Sequence, residues 1–352
     1  MRITTDFPGG NLRVLKREGD TIYVENELRD TTTDWFYWAF AVEDAAGETL
    51  TFDFGPKKWI GPYGPAVSRD SSRWTWLCSG GPSRFTCTFS DNARVYFAHD
   101  LLYQTDRFDR LAEELSLPVE TLCVSERGRA VPVVHLGQGD REILLTARHH
   151  ACEATGDYVM EGILRSLAAR PVPGYAVTAV PFVDYDGVTD GDQGKNRAPH
   201  DHNRDYLSHP VYASVRAIQA MLAQRPIRYC FDLHSPWHVC GENDFSYIVR
   251  KGTPSLPLQR RFGELLESVR VPGSFPYETK HDLPPNTGWN QDKTMRASFS
   301  GYAGRQPGVR LSLSLETSYY GIPDAPATQD SLLRYGTRVA EAIRRLIAED
   351  EA

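Results

Sequence analysis

The chain has 352 residues, a net charge of -7, 41% hydrophobic and 24% charged residues, which excludes a disordered or fibrous protein and leaves room for two units with cores of their own. Charges of both signs are mixed throughout, without a basic stripe to neutralise a phosphate backbone, so nucleic acid is not an expected partner. No apolar run approaches the ~18 residues that cross a bilayer, and MRITTDFPGGNLRVL has no basic patch followed by an apolar run, so a cytoplasmic protein with no membrane partner is expected.

Up to about residue 98 the chain reads as short strands separated by turns: RITTDF, NLRVLKRE, TIYVENEL, DWFYWAFAVED, ETLTFDF, RWTWL, RFTCTF and RVYFAH. Alternation of apolar and polar residues in TIYVENEL and LTFDF is that of half-buried strands, and several at short spacing predict an antiparallel β-sandwich over residues 1–98.

From about residue 105 the rhythm changes. RFDRLAEELSL reads as a helix, VPVVHLG and EILLTARH as strands, TGDYVMEGILRSLAAR as a helix behind a Thr cap, and YAVTAVPFVD as a strand. HPVYASVRAIQAMLAQ (helix), IRYCFDLHS and FSYIVRK (strands), LPLQRRFGELLESV (helix), VRLSLSLETS (strand) and SLLRYGTRVAEAIRRLIAED (helix) follow. Strands such as EILLTA and RYCFDL are apolar on both faces, as strands buried between helical layers are. Residues 99–352 are therefore expected to form an α/β domain with a mixed central sheet flanked by helices, its site beyond the carboxyl ends of the strands. The six cysteines form no Cys-x-x-Cys pair, and most are expected as reduced buried thiols.

His150 and Glu153 follow directly on EILLTA, where a three-residue spacing can aim a nitrogen and an oxygen at one point. Alone the pattern is weak, because ten histidines produce about one such match by chance. His234 closes a second buried strand, and on its own would fit a hydrogen-bonded core histidine. Together the three supply two imidazoles and one carboxylate, which leaves a fourth zinc position open, as catalytic sites require.

With these residues in view, the carboxyl two thirds of the chain resembles the M14 zinc carboxypeptidases, and within them the cytosolic carboxypeptidase branch. The resemblance rests on RHHACE, HNRDY, FDLHS and SLSLETSYYG in that order, on VDYDGVTDGDQGKNRAPHDHNRDY, and on DFPGGNLRV with WFYWAFAVE. It implies one zinc ion per chain held by His150, Glu153 and His234, with Glu316 as general base. It further implies Arg197 at the scissile carbonyl and oxyanion, Asn203 and Arg204 on the substrate's terminal carboxylate, and Asp201 behind a ligating histidine. Tyr302 is the first choice for the tyrosine that many members place over the substrate. His149, His200, His202 and His238 are expected to be bystanders. Where glutamate-trimming members carry an arginine, fifteen positions before the general base, this chain has Gly301; Arg296 and Arg305 are the alternatives, or are ordinary solvated arginines.

The expected activity is hydrolysis of a carboxyl-terminal peptide or isopeptide-branch bond, with a peptide or protein C-terminus as substrate. The alternatives are a zinc amidase acting on small N-acyl amino acids, or a zinc-containing binding protein without turnover.

Overall fold

The protein is described by a computed structural model covering residues 1–237, 244–322 and 325–352, so His238 and Cys240 lie outside the described residues. Nine short strands form the amino-terminal unit: β1 (Arg2–Thr4), β2 (Arg13–Glu18), β3 (Thr21–Glu25), β4 (Ala39–Glu43), β5 (Thr49–Asp53), β6 (Ala66–Ser68), β7 (Thr75–Trp76), β8 (Arg84–Thr88) and β9 (Val95–Ala98). They make two sheets, ordered β1-β4-β9-β6-β7 and β2-β3-β5-β8. The expected alternation holds in β3, where Ile22 and Val24 turn inward, and in β5, where Leu50 and Phe52 do. Between the sheets Phe40, Phe52, Phe85 and Phe97 interlock, with ring centroids 4.9 Å apart for Phe40–Phe52 and 5.1 Å for Phe52–Phe85.

Three details differ from the sequence expectation. The pairing is antiparallel except for β3 with β5, which run parallel. Strand β6 lies in a stretch that carries no alternating signal. DWFYWAFAVED becomes a strand only from Ala39, because the backbone before it bonds to side chains instead: Asn26 Nδ2 donates to the Trp35 carbonyl at 2.6 Å, and the Tyr37 amide donates to Gln193 Oε1 at 2.9 Å.

The second unit contains a mixed sheet of β10 (Val119–Val124), β11 (Ala130–Leu136), β12 (Arg141–Ala147), β13 (Tyr175–Val180), β14 (Ile227–His234), β15 (Tyr247–Val249) and β16 (Leu311–Glu316), in the order β10-β11-β13-β12-β14-β16-β15. The four central strands are parallel, with β12 between β13 and β14, and β14 against β16. The edge strand β10 is not among the expected elements. It is largely exposed, and its polar residues hide the period that a buried face would show.

Eight helices among the described residues accompany the sheet: α1 (Thr105–Glu114), α2 (Thr155–Ala169), α3 (Tyr185–Asp190), α4 (Ala213–Gln224), α5 (Leu256–Ser268), α6 (Asp292–Met295), α7 (Phe299–Ala303) and α8 (Gln329–Asp350). Alternate residues of the central strands feed two hydrophobic cores. Ile143, Leu145, Phe231 and Leu233 join α2, α5 and α8, whereas Leu144 and Cys230 join α4 and α7. Helices α2 and α8 cross closely at Gly162 and Gly336, where a Cβ on Gly162 would lie 2.1 Å from the Leu333 carbonyl oxygen. Thr155 is the first residue of α2 rather than its cap. Its hydroxyl donates instead to the Thr317 carbonyl at 2.8 Å, tying the helix start to the segment after β16. No helix among the described residues is long and apolar enough to cross a membrane.

The register then brings the chemistry together. His234 and Glu316 are side-by-side partners at the carboxyl ends of β14 and β16, and β12 ends three residues before His150.

Candidate metal centre

His150, Glu153 and His234 are all buried, and each offers a donor atom within 4.8 Å of the other two. Both histidines turn Nδ1 toward the same carboxylate: His150 Nδ1 lies 2.9 Å from Glu153 Oε1, and His234 Nδ1 lies 2.6 Å from Glu153 Oε2. Each ring then presents Nε2 to a second carboxylate. For His234 this is Asp232 Oδ2 at 2.7 Å, and for His150 it is Asp201 Oδ1 at 3.5 Å. Asp232 behind His234 fixes that tautomer and turns Nδ1 forward, which is how metal-ligating histidines are held, and Asp201 stands on the corresponding side of His150 at a longer distance. Two imidazoles and one carboxylate converging at buried positions fit a zinc ion with one position left open.

Electrostatics agree with this geometry. Burial alone would raise the Glu153 carboxyl, yet His150, Lys195 and His234 outweigh it and hold Glu153 well below the usual carboxylate range. Burial likewise opposes the charge on Asp232, and His149 and His234 overcome it. Glu316 goes the other way. Burial raises it above the ordinary value and outweighs the opposing pull of His234, the direction suited to a group that takes and returns a proton.

Asp232 is absent from the sequence expectation. It sits two residues before His234 in FDLHS, hence on the same face of the strand, and that spacing is the signal that could have found it. Its Oδ1 accepts from Thr146 Oγ1 at 2.8 Å and lies 2.8 Å from His149 Nδ1. His149, expected as a bystander, lies within the same network. It shares Asp232 with His234 and puts Nε2 2.7 Å from the Tyr206 hydroxyl. His200, in contrast, pairs with Asp205 at 2.6 Å, and His202 stacks on Tyr212 with centroids 3.7 Å apart.

The loop between α3 and α4 departs further from expectation. The Arg197 guanidinium is bound to Asp30 at 2.9 Å and Asp184 at 2.7 Å, with Asp192 at 3.6 Å, and so joins the loop to the sandwich. Its ion pairs among the described residues are with those three carboxylates and not with the metal triad. Asn203 lies beside the triad with both side-chain ends occupied: Nδ2 is 3.1 Å from His234 Nε2, and Oδ1 accepts from the Phe299 amide at 2.8 Å. Arg204 donates to the Asn203 carbonyl at 2.9 Å and is half-buried. Tyr302, on α7, packs its ring on Tyr206 at 5.7 Å. The tyrosine brought to the base is Tyr247, the register partner of Glu316 on β15, whose hydroxyl is raised by burial and by the charges of Glu316 and Glu153. It lies in FSYIVRK, a segment whose apolar run signals a strand and nothing more.

Two lysines also enter the site. Lys195 Nζ lies 2.8 Å from Glu153 Oε1. Burial opposes its charge, but Glu153 and Glu316 raise its value above that of an ordinary lysine. Lys251 is buried and donates to Asn290 Oδ1 at 3.2 Å; burial and the charge of Arg204 bring it down to about 7. At Gly301, a Cβ would meet the Met295 carbonyl oxygen at 2.1 Å, so the backbone itself fills the place where an arginine would begin.

No family model matches the sequence. Among solved structures, a metallo-carboxypeptidase from Burkholderia cenocepacia superposes with a TM-score of 0.82 at 19% identity, covering 99% of both chains. A metallo-carboxypeptidase from Pseudomonas aeruginosa, in complex with (2-guanidinoethylmercapto)succinic acid, gives 0.79 at 21% identity, covering 99% of this chain and 100% of that one. In sequence, cytosolic carboxypeptidase 2 of Danio rerio is 25% identical over 313 residues, 74% of this chain and 43% of that protein. The chain spans less than half the length of the curated relatives it matches. From end to end the described chain has the metallo-carboxypeptidase fold, and in sequence it is a distant relative of the cytosolic carboxypeptidase branch.

Proposed function

We propose that this chain is a zinc-dependent hydrolase that removes the carboxyl-terminal residue of a peptide or of a peptide branch. The observation that carries the reading is the convergence of His150 Nδ1, His234 Nδ1 and the Glu153 carboxylate beside Glu316. A zinc ion held there supplies Lewis-acid activation of a water and of the scissile carbonyl.

The chain's own residues then divide the remaining work. Glu316 takes the proton from the attacking water and returns it to the departing amine, a role for which a placed carboxylate typically contributes ~10²–10⁴-fold. Asp201 and Asp232 keep the two imidazoles turned forward. Arg204 offers the planar guanidinium that suits a terminal carboxylate, and Tyr247 stands beside Glu316 at the edge of the sheet. The Pseudomonas neighbour binds a small carboxylate-bearing ligand, in keeping with a site of this kind.

A mass-spectrometric screen of a carboxyl-terminally randomised peptide library, with and without chelator, tests the proposal. Loss of single terminal residues that stops with chelator is expected. Cleavage insensitive to chelator refutes the zinc mechanism, and activity confined to N-acylated single amino acids replaces the peptidase reading.

A further inference from the structure

Loop geometry carries Lys195 into the site. Gly194 has φ +73° and a Cβ there would lie 2.0 Å from the Ala151 amide nitrogen, so the loop backbone runs directly against the His150–Glu153 turn where no side chain fits. The next residue reaches in: Lys195 Nζ is 2.8 Å from Glu153 Oε1, with 19% of the side chain still exposed. Trp35 of the sandwich flanks it, its ring centroid 5.5 Å from Nζ, and that indole is itself held by an N–H donated to Cys152 Sγ at 3.4 Å. Arg197, two residues on, turns to Asp30, Asp184 and Asp192.

We propose that Lys195, and not Arg197, is the cation that meets the scissile carbonyl oxygen, while Arg197 is a positioning residue that anchors the loop to the sandwich. This inference rests on the hydrolase reading above. An ammonium has three donors, and one used on Glu153 leaves two for an incoming oxygen. Water adds to the carbonyl carbon, negative charge grows on the carbonyl oxygen beside Nζ, and the C–N bond then breaks. Glu316 carries the water's proton to the amine, and Lys195 keeps its own proton throughout. A fixed cation aimed at an oxygen that becomes charged favours the transition state over the bound substrate.

The competing role for Lys195 is charge balance for Glu153 alone, and the two roles separate by measurement. On the purified full chain, Lys195→Met and Lys195→Arg are compared with wild type for kcat and KM on a cleaved peptide, for zinc affinity by chelator competition, and for binding of a phosphinic peptide that mimics the tetrahedral oxyanion. Loss of one oxyanion donor typically costs ~10²–10³-fold in kcat. Lys195→Met is expected to lose kcat by about that factor and phosphinic-peptide affinity in parallel, with KM within about threefold and zinc affinity within about tenfold. Lys195→Arg, which keeps the charge and controls for folding, is expected to recover part of both losses. A kcat for Lys195→Met within about threefold of wild type overturns the inference. So does a loss that excess zinc restores, because the lysine then acts only on the metal ligand. A wild-type chain that cleaves no peptide overturns the hydrolase reading and this inference with it.

Discussion

The strand-end half of the site and the loop half are held by different kinds of contact. His234, Asp232 and Glu316 sit on adjacent parallel strands, where backbone register alone sets their spacing, and His150 and Glu153 follow within six residues of a third. The loop from Gly191 to Arg204 carries only short elements, and beside one isolated backbone bridge between Thr31 and Arg197 its placement comes chiefly from side chains. Asp30 of the sandwich accepts from the Gln193 and Gly194 amides at 2.9 and 2.8 Å, and also takes Arg197. Strands tolerate loss of one side chain because the ladder remains. A loop pinned by ion pairs does not, so damage to the first half is chemical and damage to the second is structural.

Glu316→Gln puts that contrast under the most strain. A fall of ~10²–10⁴-fold in kcat is expected with zinc content and thermal stability unchanged, read by peptide cleavage, metal analysis and calorimetry. A fall in stability comparable with that of a core substitution would remove the contrast from the strand side.

Arg197→Ala is the counterpart on the loop side. It removes the cation shared by Asp30, Asp184 and Asp192, whose side chains are all buried or nearly so, and removal of one partner from a buried ion pair costs about 3–5 kcal/mol. Urea denaturation should show a loss of that order. If stability is untouched and only kcat falls, Arg197 is acting at the substrate and the inference about Lys195 is wrong.

A smaller effect compares the two imidazoles. Asp232 holds His234 at 2.7 Å and is braced by Thr146 and His149, whereas Asp201 approaches His150 only to 3.5 Å. Carboxylates behind metal-bound histidines are worth ~10–100-fold in metal affinity. Asp232→Asn is expected at the upper end and Asp201→Asn at the lower, measured by chelator competition; the reverse order would show that the loop, not the strand, governs the metal.

A weaker effect still concerns pH. Asp192 is raised to about 6 by burial and by the charges of Asp30 and Asp184, against the opposing Arg127 and Arg197. Its folded value exceeds the ~3.9 of an unfolded aspartate, so the folded state binds the extra proton. The group's stabilising contribution is present below about pH 4 and is lost as pH rises to about 6. Asp192→Asn removes this dependence. Relative to wild type, the variant should gain stability by ~2 kcal/mol between pH 4 and 7, read from urea midpoints; a flat difference across that range would contradict it.

What is legible in the sequence follows the same division. His150, Glu153, His234 and Glu316 end or closely follow buried strands, so each is announced by an apolar run with a polar residue at its close. The sandwich is legible from alternation in segments such as TIYVE, and Ala66–Ser68 is not, because three residues carry no period. Asp232 is within reach through its spacing of two from His234. The placement of Lys195 is not, because it depends on a close approach of Gly194 to Ala151, and neither is that of Arg197, whose partner Asp30 lies 167 residues away. The place of Tyr247 is hidden for a related reason: it is decided by the antiparallel addition of β15, and that register puts Tyr247 beside Glu316.

The proposed hydrolysis depends on His150, Glu153 and His234 forming one zinc site. Equilibrium dialysis of the purified chain against zinc, followed by metal analysis, examines this without any assumption about substrate when wild type is run beside His150→Ala, His234→Ala and Glu316→Gln. About one zinc per chain is expected in wild type and Glu316→Gln, with at least ~100-fold weaker binding in both histidine variants. Undiminished zinc in either histidine variant, or no zinc in wild type, would contradict it.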